Sequence, residues 1–249
     1  MIRFDLTGLV LPAVQLPDIT EPVDIDGSSG PGAAATVRIS GENVVSVGLR
    51  LVNAGGSRIR GLTLVRFRNR AIEVNRSDGV VIEGNRIGLD GATSAGSAIG
   101  VYLFSGDGCR VGGPDPALGN VISGNVVGVR VDSRQNVVEG NDIGTLAGGE
   151  FDPRVGNTDS GILLASNADG DKANVIRNNL VAGNLNGITL ESHGNFVRGN
   201  TIQGNSAGVV VRNAERNQIG GDAPADGNLI TANRRDGIFL TNGNDTDQG

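Results

Sequence analysis

The stretch GNTIQGNSAGVVV, residues 199–211, decides the fold because its pattern recurs along most of the chain. Its first half is Gly-Asn, then one variable residue, then Ile or Val, and it recurs at 84–87, 119–122, 140–143, 178–181 (where Asn178 replaces the glycine) and 227–230. Its second half is Gly or Ala followed by a short apolar run, and it recurs at 71–74, 128–131, 161–164, 187–190 and 237–240. Internal repetition of this kind indicates a repeat protein.

The spacing indicates which repeat architecture is present. Asn120 and Asn141 are 21 residues apart, as are Asn179 and Asn200, and the longer intervals contain insertions. Each unit holds short alternating runs of apolar and β-branched residues between Gly and Asn, which predicts short strands and tight turns. A unit of this size is typical of one coil of a parallel β-helix, whereas the leucine-rich repeat signature is absent. We therefore predict an all-β parallel β-helix of about eight coils.

The repeated asparagine has two structural explanations. Asparagine tolerates the positive φ of a sharp corner, and it can also stack on the equivalent asparagine of the next coil and hydrogen-bond to it. We predict that an internal ladder is formed by Asn85, Asn120, Asn141, Asn179, Asn200 and Asn228. The alternative is that these residues are selected only for their backbone conformation. In both cases their role is structural and not catalytic.

The first 35 residues differ in composition from the rest, since they hold four of the eight prolines. Proline is excluded from central strands of a sheet, so residues 1–35 are expected to cover the first coil as an N-terminal cap without joining the stack. Residues 36–249 are predicted to form the repeats of a single domain. The N-terminus lacks the layout of a signal peptide. We therefore expect a fragment of a larger protein, with any export signal outside this chain.

Composition limits the classes of partner. The net charge of −6 disfavours nucleic acid, and no apolar run is long enough to insert into a membrane. The single cysteine, Cys109, and the single histidine, His193, exclude an internal disulfide and a zinc site. At the end of the chain, the short polar segment after Leu240 should leave strand edges unpaired, which predicts weak end-to-end self-association.

Insertions point to two loop clusters. The insertions 89–98 and 145–160 both follow an Ile-Gly pair, so they are expected on one flank of the stack. The insertions 113–118 and 222–226 both contain proline and precede the Gly-Asn corner, which places them in a second cluster. Loops on one side of a repeat protein often carry its function, although insertions in loops are also tolerated without one.

Several phrases of the chain resemble a known family, namely 136–145, 111–113 followed by 119–125, and 16–27. They are similar to the right-handed parallel β-helix repeats of large bacterial surface and secreted proteins. In outline these include the pectate-lyase superfamily and the nitrous-oxide-reductase maturation β-helix proteins. The resemblance implies a right-handed β-helix located extracellularly or at the cell surface of a bacterium. It does not imply one activity, because such folds serve lyases, hydrolases, epimerases, adhesins and spacers.

The catalytic motifs of these relatives are not reproduced. There is no Asp-Asp pair, and His193 is not in a Gly-His-Gly motif. Acidic and basic residues on the loops leave Asp90, Asp152 and Arg154 as the catalytic candidates. The acidic turn with Asp169 and Asp171 has the alternating oxygen ligands of a calcium loop, but it lacks the distant bidentate Glu, and a solvated acidic turn is the favoured explanation.

Two functional hypotheses follow. The first is a non-enzymatic β-helix module of a bacterial secreted or surface protein, without a cofactor, that acts as a spacer or as an adhesive surface contacting polysaccharide. The alternative is a polysaccharide lyase or glycoside hydrolase that acts on an acidic polysaccharide through one loop-bearing flank. A cleft in which carboxylates and a basic side chain converge would favour the enzyme.

Overall fold

The computed structural model describes residues 2–3, 8–28, 37–166 and 172–242. Within them the chain passes repeatedly through three long parallel sheets, A, B and C, and each passage makes one coil. Sheet A contains Ile2–Arg3, Asp24–Asp26, Arg58–Arg60, Val81–Glu83, Arg110–Gly112, Val137–Glu139, Val175–Arg177, Phe196–Arg198 and Gln218–Ile219. Sheet B contains Leu9–Val10, Val37–Ser40, Leu62–Val65, Arg86–Ile87, Val121–Ile122, Asp142–Ile143, Leu180–Ala182, Thr201–Gln203 and Leu229–Thr231. Sheet C contains Val47–Val52, Arg70–Asn75, Ile99–Leu103, Val127–Val131, Ser160–Leu164, Asn186–Leu190, Ala207–Arg212 and Ile238–Thr241.

Eight complete coils stack along one axis in the described residues. Coil 1 begins with the sheet A strand Asp24–Asp26, and coil 8 ends with the sheet C strand Ile238–Thr241. The turns between the sheets are called the AB, BC and CA corners. The predicted all-β, right-handed parallel β-helix is therefore confirmed.

A narrow apolar core fills the interior of the coils. Alternate residues of each short strand point inward, and the parallel register stacks them in columns, such as Ile82 on Val111 and Val138 on Ile176 in sheet A. These four side chains are at most 2% exposed. Phe67 is the one aromatic residue in the described core. Branched aliphatic side chains fill so thin an interior, and each contributes about 1.5–3 kcal/mol when fully buried.

The N-terminal segment differs from the expectation of a cap outside the stack. Asp24–Asp26 is the sheet A strand of coil 1, and the strands Ile2–Arg3 and Leu9–Val10 extend sheets A and B in parallel. The segment also covers the edge of sheet C, where Gln15 exchanges hydrogen bonds with the backbone of Val47 (2.6 and 3.0 Å). Prolines lie between these short strands and not within them, so the segment both joins the stack and shields it. The expected boundary near residue 35 lies outside the described residues.

The opposite end of the stack is more open in the described part of the chain. Ile238 and Leu240 are 47% and 68% exposed, whereas Val209 and Val211, their partners in coil 7, are at most 7% exposed. The columns of core side chains therefore end at coil 8, and the described residues up to 242 do not cover the last side chains of these columns.

Short elements other than the three sheets lie in the insertions. Leu89–Asp90 and Thr93–Ser94 form an antiparallel hairpin, and 3₁₀ turns span Pro116–Leu118, Ala147–Gly149 and Pro224–Asp226. No helix in the described residues has the length and apolar character needed to span a membrane.

Candidate functional site

Buried asparagines form a ladder of hydrogen bonds at the AB corner. The amide of Asn141 donates from Nδ2 to Asn179 Oδ1 (2.9 Å), Val111 O and Glu139 O (both 3.0 Å). Its Oδ1 accepts from Nδ2 and the backbone N–H of Asn120 (2.9 and 3.0 Å). The same side-chain link joins each successive pair of the six asparagines singled out in the sequence, which are Asn85, Asn120, Asn141, Asn179, Asn200 and Asn228.

Backbone conformation alone does not explain asparagine at this corner. None of the six has a positive φ in the described chain. The preceding residue adopts that conformation in four of the coils, as Gly84, Gly140, Asn178 and Gly199. Each asparagine therefore contributes through its side-chain amide, and in four of the six coils the residue before it adopts the left-handed conformation of the turn.

Two further ladders, which the sequence analysis did not identify, run along the other corners. At the BC corner, side-chain amides link Asn125, Asn157, Asn184, Asn205 and Asn233. At the CA corner they link Asn136, Asn174, Asn195 and Asn217. In all three ladders, each amide donates to the Oδ1 of the next coil toward the C-terminus. The Gly-Asn pairs at 124–125, 156–157, 183–184 and 204–205 were the available signal for the BC ladder, whereas in the CA ladder only Asn195 follows a glycine.

The two longest insertions lie on the BC flank. Each begins at an Ile-Gly pair whose glycine has a positive φ, +90° at Gly88 and +85° at Gly144. A Cβ on either glycine would lie 2.1 Å from a backbone oxygen of a neighbouring coil. The two insertions meet at Gly124, whose N–H donates to Val155 O (2.6 Å) and whose carbonyl accepts from Ser94 Oγ (3.2 Å). They therefore lie on one flank, as the sequence indicated, and the 3₁₀ turns Pro116–Leu118 and Pro224–Asp226 lie before the AB corner.

A groove of 440 Å³ follows the BC corner beside these loops, and we call it the BC groove. Its lining comes from coils 1 to 5, so it extends roughly 19 Å along the axis at about 4.8 Å per coil. Its lining residues are Asn43, Phe67, Arg68, Gly96, Ser97, Ala98, Gly124, Asn125, Val126 and Thr158.

Two polar groups of the BC groove lack partners. Ser97 is only 6% exposed, yet its Oγ has no hydrogen-bond partner among the described residues. Arg68 is exposed and is the only charged lining residue, and its guanidinium forms no ion pair with a described residue. Exposed side chains of Asn43, Val126 and Thr158 complete a surface with polar groups and one apolar contact. Such a mixed lining is suited to a polar ligand that also has apolar faces.

The catalytic candidates from the sequence lie outside the BC groove and bind other side chains. Asp90 pairs with Arg38 (2.5 Å) and with Arg66 (3.5 Å) on the outer side of coils 1 to 3. Asp152 pairs with Arg154 in the same loop (2.6 Å). Hydrogen bonds from Arg154 lower the pKa of Asp152 to about 2. No described pocket is lined by both Asp90 and Asp152.

A second cleft, of 360 Å³, lies on the outer face of sheet B. The turns that contain Pro116 and Gly148 approach each other across it, and Asp142 and Val121 lie on its floor. Burial raises the pKa of Asp142 above its ordinary value, although the Gly148 N–H donates to its Oδ2 (3.0 Å). Asp142 is the only titratable lining residue, so this cleft does not contain an acid and base pair.

The single tyrosine is fixed on the outer face of sheet C. Its ring lies between the guanidinium groups of Arg70 and Arg130, at 4.7 and 5.4 Å, and its hydroxyl donates to Asp132 Oδ2 (2.7 Å). Burial is the main reason that the pKa of Tyr102 rises to about 12. Tyr102 therefore stays neutral and stabilises the sheet surface instead of acting as a base.

These observations define a class, that of right-handed parallel β-helix proteins with asparagine ladders at their corners. The family model described as "Periplasmic copper-binding protein (NosD)" matches residues 34–219 and, in a second overlapping match, residues 148–247. Because these matches cover most of the chain, the protein belongs to the NosD family. The family is described as periplasmic, a compartment outside the cytoplasm. No curated protein matches the chain.

The donor atoms of this chain do not fit the copper that the family description names. Copper in proteins is held mainly by His, Cys and Met, and the chain has one of each. Cys109 is 1% exposed, and burial raises its pKa to about 11, which disfavours the thiolate ligand. His193 lies three coils away and accepts a hydrogen bond at Nδ1 from the Glu215 N–H (2.9 Å). The described residues contain no cluster of three His, Cys, Asp or Glu side chains.

The calcium hypothesis is not tested by the structure. Asp169 and Asp171, the two residues proposed for that site, lie outside the described residues.

Proposed function

We propose that this chain is a non-catalytic β-helix module of an exported bacterial protein, and that it contacts carbohydrate through the BC groove. The main supporting observation is the groove itself, which five successive coils and the ends of two long loops form along one axis, with exposed polar side chains at Asn43, Arg68 and Thr158. A linear ligand with many hydroxyl groups matches an elongated polar groove. The family's periplasmic description supports an exported setting, with secretion or surface display as the finer proposal.

The ion pairs of the loops support a non-catalytic role. Acid–base cleavage of a sugar bond requires two carboxyl groups about 5–9.5 Å apart, one of them protonated. Asp152 has a pKa near 2 and is therefore ionised. Its partner Arg154 and the Asp90 partner Arg38 neutralise these carboxylates outside the groove. The described loops thus form rigid walls of the groove.

The experiment is to measure binding and cleavage on the same panel of neutral and acidic polysaccharides. Binding is followed by affinity electrophoresis, and cleavage by unsaturated-uronate absorbance and by reducing ends. We expect retention of at least one polysaccharide without cleavage of any. Cleavage that Asp152→Ala abolishes would overturn the proposal in favour of a lyase or hydrolase acting on an acidic polysaccharide. Absence of binding to the whole panel would leave only a spacer role.

A further inference from the structure

Arg68 and Ser97 specify the chemistry of the ligand more narrowly than the shape of the groove does. We propose that the BC groove selects a glycan bearing an oxyanion group, which Arg68 anchors beside Ser97. This inference rests on the proposed carbohydrate contact and adds a charge requirement to it.

The groove carries a single positive charge among its lining residues. Arg68 is the only charged side chain among the ten lining residues, although the whole chain carries a net charge of −6. Most other described arginines are used in ion pairs, for example Arg58 and Arg110 on Glu83. Arg68 therefore creates a local positive site on an acidic protein. A guanidinium binds carboxylate or sulfate through two parallel hydrogen bonds, so the group it best accommodates is an oxyanion.

The hydroxyl of Ser97 supports the proposal independently of charge. A buried hydroxyl without a partner is unfavourable, and most buried polar atoms in folded proteins are hydrogen-bonded. Ser97 Oγ is such an exception, at 6% exposure of the residue. The main chain fixes its place, because Ser97 N–H donates to Asn125 Oδ1 (3.0 Å) and Ser97 O accepts from Val126 N–H (3.0 Å). These bonds fix the backbone of Ser97 at the wall of the groove, and rotation about χ1 would turn its hydroxyl, which is buried in this structure, toward a ligand oxygen.

Arg68 and Ser97 lie on adjacent coils at the same corner of the stack. Arg68 belongs to coil 2 and Ser97 to coil 3, and the Ile99 N–H joins these coils by donating to Asn69 O (2.8 Å). Adjacent coils are about 4.8 Å apart. One sugar unit can therefore present an oxyanion to Arg68 and a ring or hydroxyl oxygen to Ser97. Val126 in coil 4 offers an apolar surface to the next unit along the groove.

The test compares ligands that differ only in charge. Calorimetric titration is carried out with an oligogalacturonate, with its methyl ester of the same length, and with a sulfated oligosaccharide. We expect the charged ligands to bind, the ester to bind roughly tenfold more weakly, and the difference to shrink as salt is raised. Binding of the sulfated ligand in preference to the carboxylated one identifies sulfate as the natural oxyanion and still supports the proposal.

Matched variants locate the effect. Arg68→Gln should weaken binding of the charged ligands roughly tenfold without changing binding of the ester. Ser97→Ala should weaken binding of all three ligands, and Arg234→Gln in coil 8 removes the same charge far from the groove and should have no effect. Equal binding of acid and ester, unchanged in Arg68→Gln, would refute the oxyanion requirement while the carbohydrate contact stands. Absence of binding to all three ligands would refute both. Circular dichroism of each variant verifies the fold.

Discussion

Replacing Asn141 by alanine should destabilise the protein far more than a typical surface substitution. The change removes five hydrogen bonds, three donated by Nδ2 and two accepted by Oδ1. The buried backbone N–H of Asn120 loses the acceptor that it has in the ladder, and an unsatisfied buried donor costs about 1–3 kcal/mol. With the lost contacts of the amide, we expect a decrease of about 2–4 kcal/mol in the free energy of unfolding.

The ladder also predicts a gradient along the stack. Asn228, the last rung at the AB corner, is half-buried and takes part in three such bonds, two accepted from Asn200 and one donated to Val197 O. Water can replace these bonds more easily, so Asn228→Ala should cost about 1 kcal/mol. Asn69→Ala is the matched control, because Asn69 is exposed and its side chain hydrogen-bonds to Ser46 Oγ alone among the described residues. Its effect should stay within about 0.5 kcal/mol.

Urea denaturation followed by far-ultraviolet circular dichroism measures these free energies. Stacked repeats can unfold in parts, so hydrogen exchange of coils 4 to 6 should accompany it and show the loss centred on the altered rung. Equal stability of Asn141→Ala and the wild type would refute the assignment of the ladder as a source of stability. An equal decrease in the free energy of unfolding for Asn141→Ala and Asn228→Ala would show that burial and position in the ladder do not determine the contribution of an asparagine.

Three further predictions concern the cleft on sheet B, the open end and the metal. Because burial raises the pKa of Asp142, Asp142→Asn should raise the melting temperature at pH 7. This gain should vanish below about pH 3.8, where the wild-type carboxyl is protonated in both the folded and the unfolded protein. A gain in melting temperature that does not depend on pH would contradict this. Sedimentation should show weak concentration-dependent association that Leu240→Lys reduces, because Leu240 is 68% exposed at the open end; a monomer at all concentrations would count against it. Copper titration should show no tight one-to-one complex, and such a complex lost in His193→Ala would refute the donor analysis.

The repeat pattern predicted the fold because solenoid stacking converts sequence period directly into structure. Equivalent positions 21 residues apart, such as Asn120 and Asn141, lie one above the other, so one corner and one ladder followed from the spacing. The other two ladders were missed because most of their asparagines lack part of the Gly-Asn-x-Ile/Val phrase, which marks the AB corner although its intervals vary from 21 to 38 residues. Which asparagines stack at these two corners also depends on the lengths of the loops between them, and the asparagines come into alignment only in the folded coils.

The candidate site was less accessible to sequence reasoning. The flank that carries the long loops followed from the Ile-Gly pairs, but Arg68 and Ser97 have no motif around them. They become neighbours in the groove because coils 2 and 3 are in register. In the same way, Asp90 was singled out by its loop, whereas its pairing with Arg38, 52 residues earlier, depends on stacking across two coils.

Because all three ladders run in the same direction, a whole coil can be removed or added without changing the pattern of hydrogen bonds between neighbouring coils. Asn174, Asn179 and Asn184 each donate to an asparagine 21 residues later, and each accepts from the coil before. If residues 174–194 are excised, the next coil presents the same three acceptors to the same three donors, and every rung is restored. If a fraction of that segment is excised, all three corners lose register together. The length of this protein can therefore change by whole coils or within the loops between the ladders, whereas deletion of a strand or of a ladder asparagine breaks the stack.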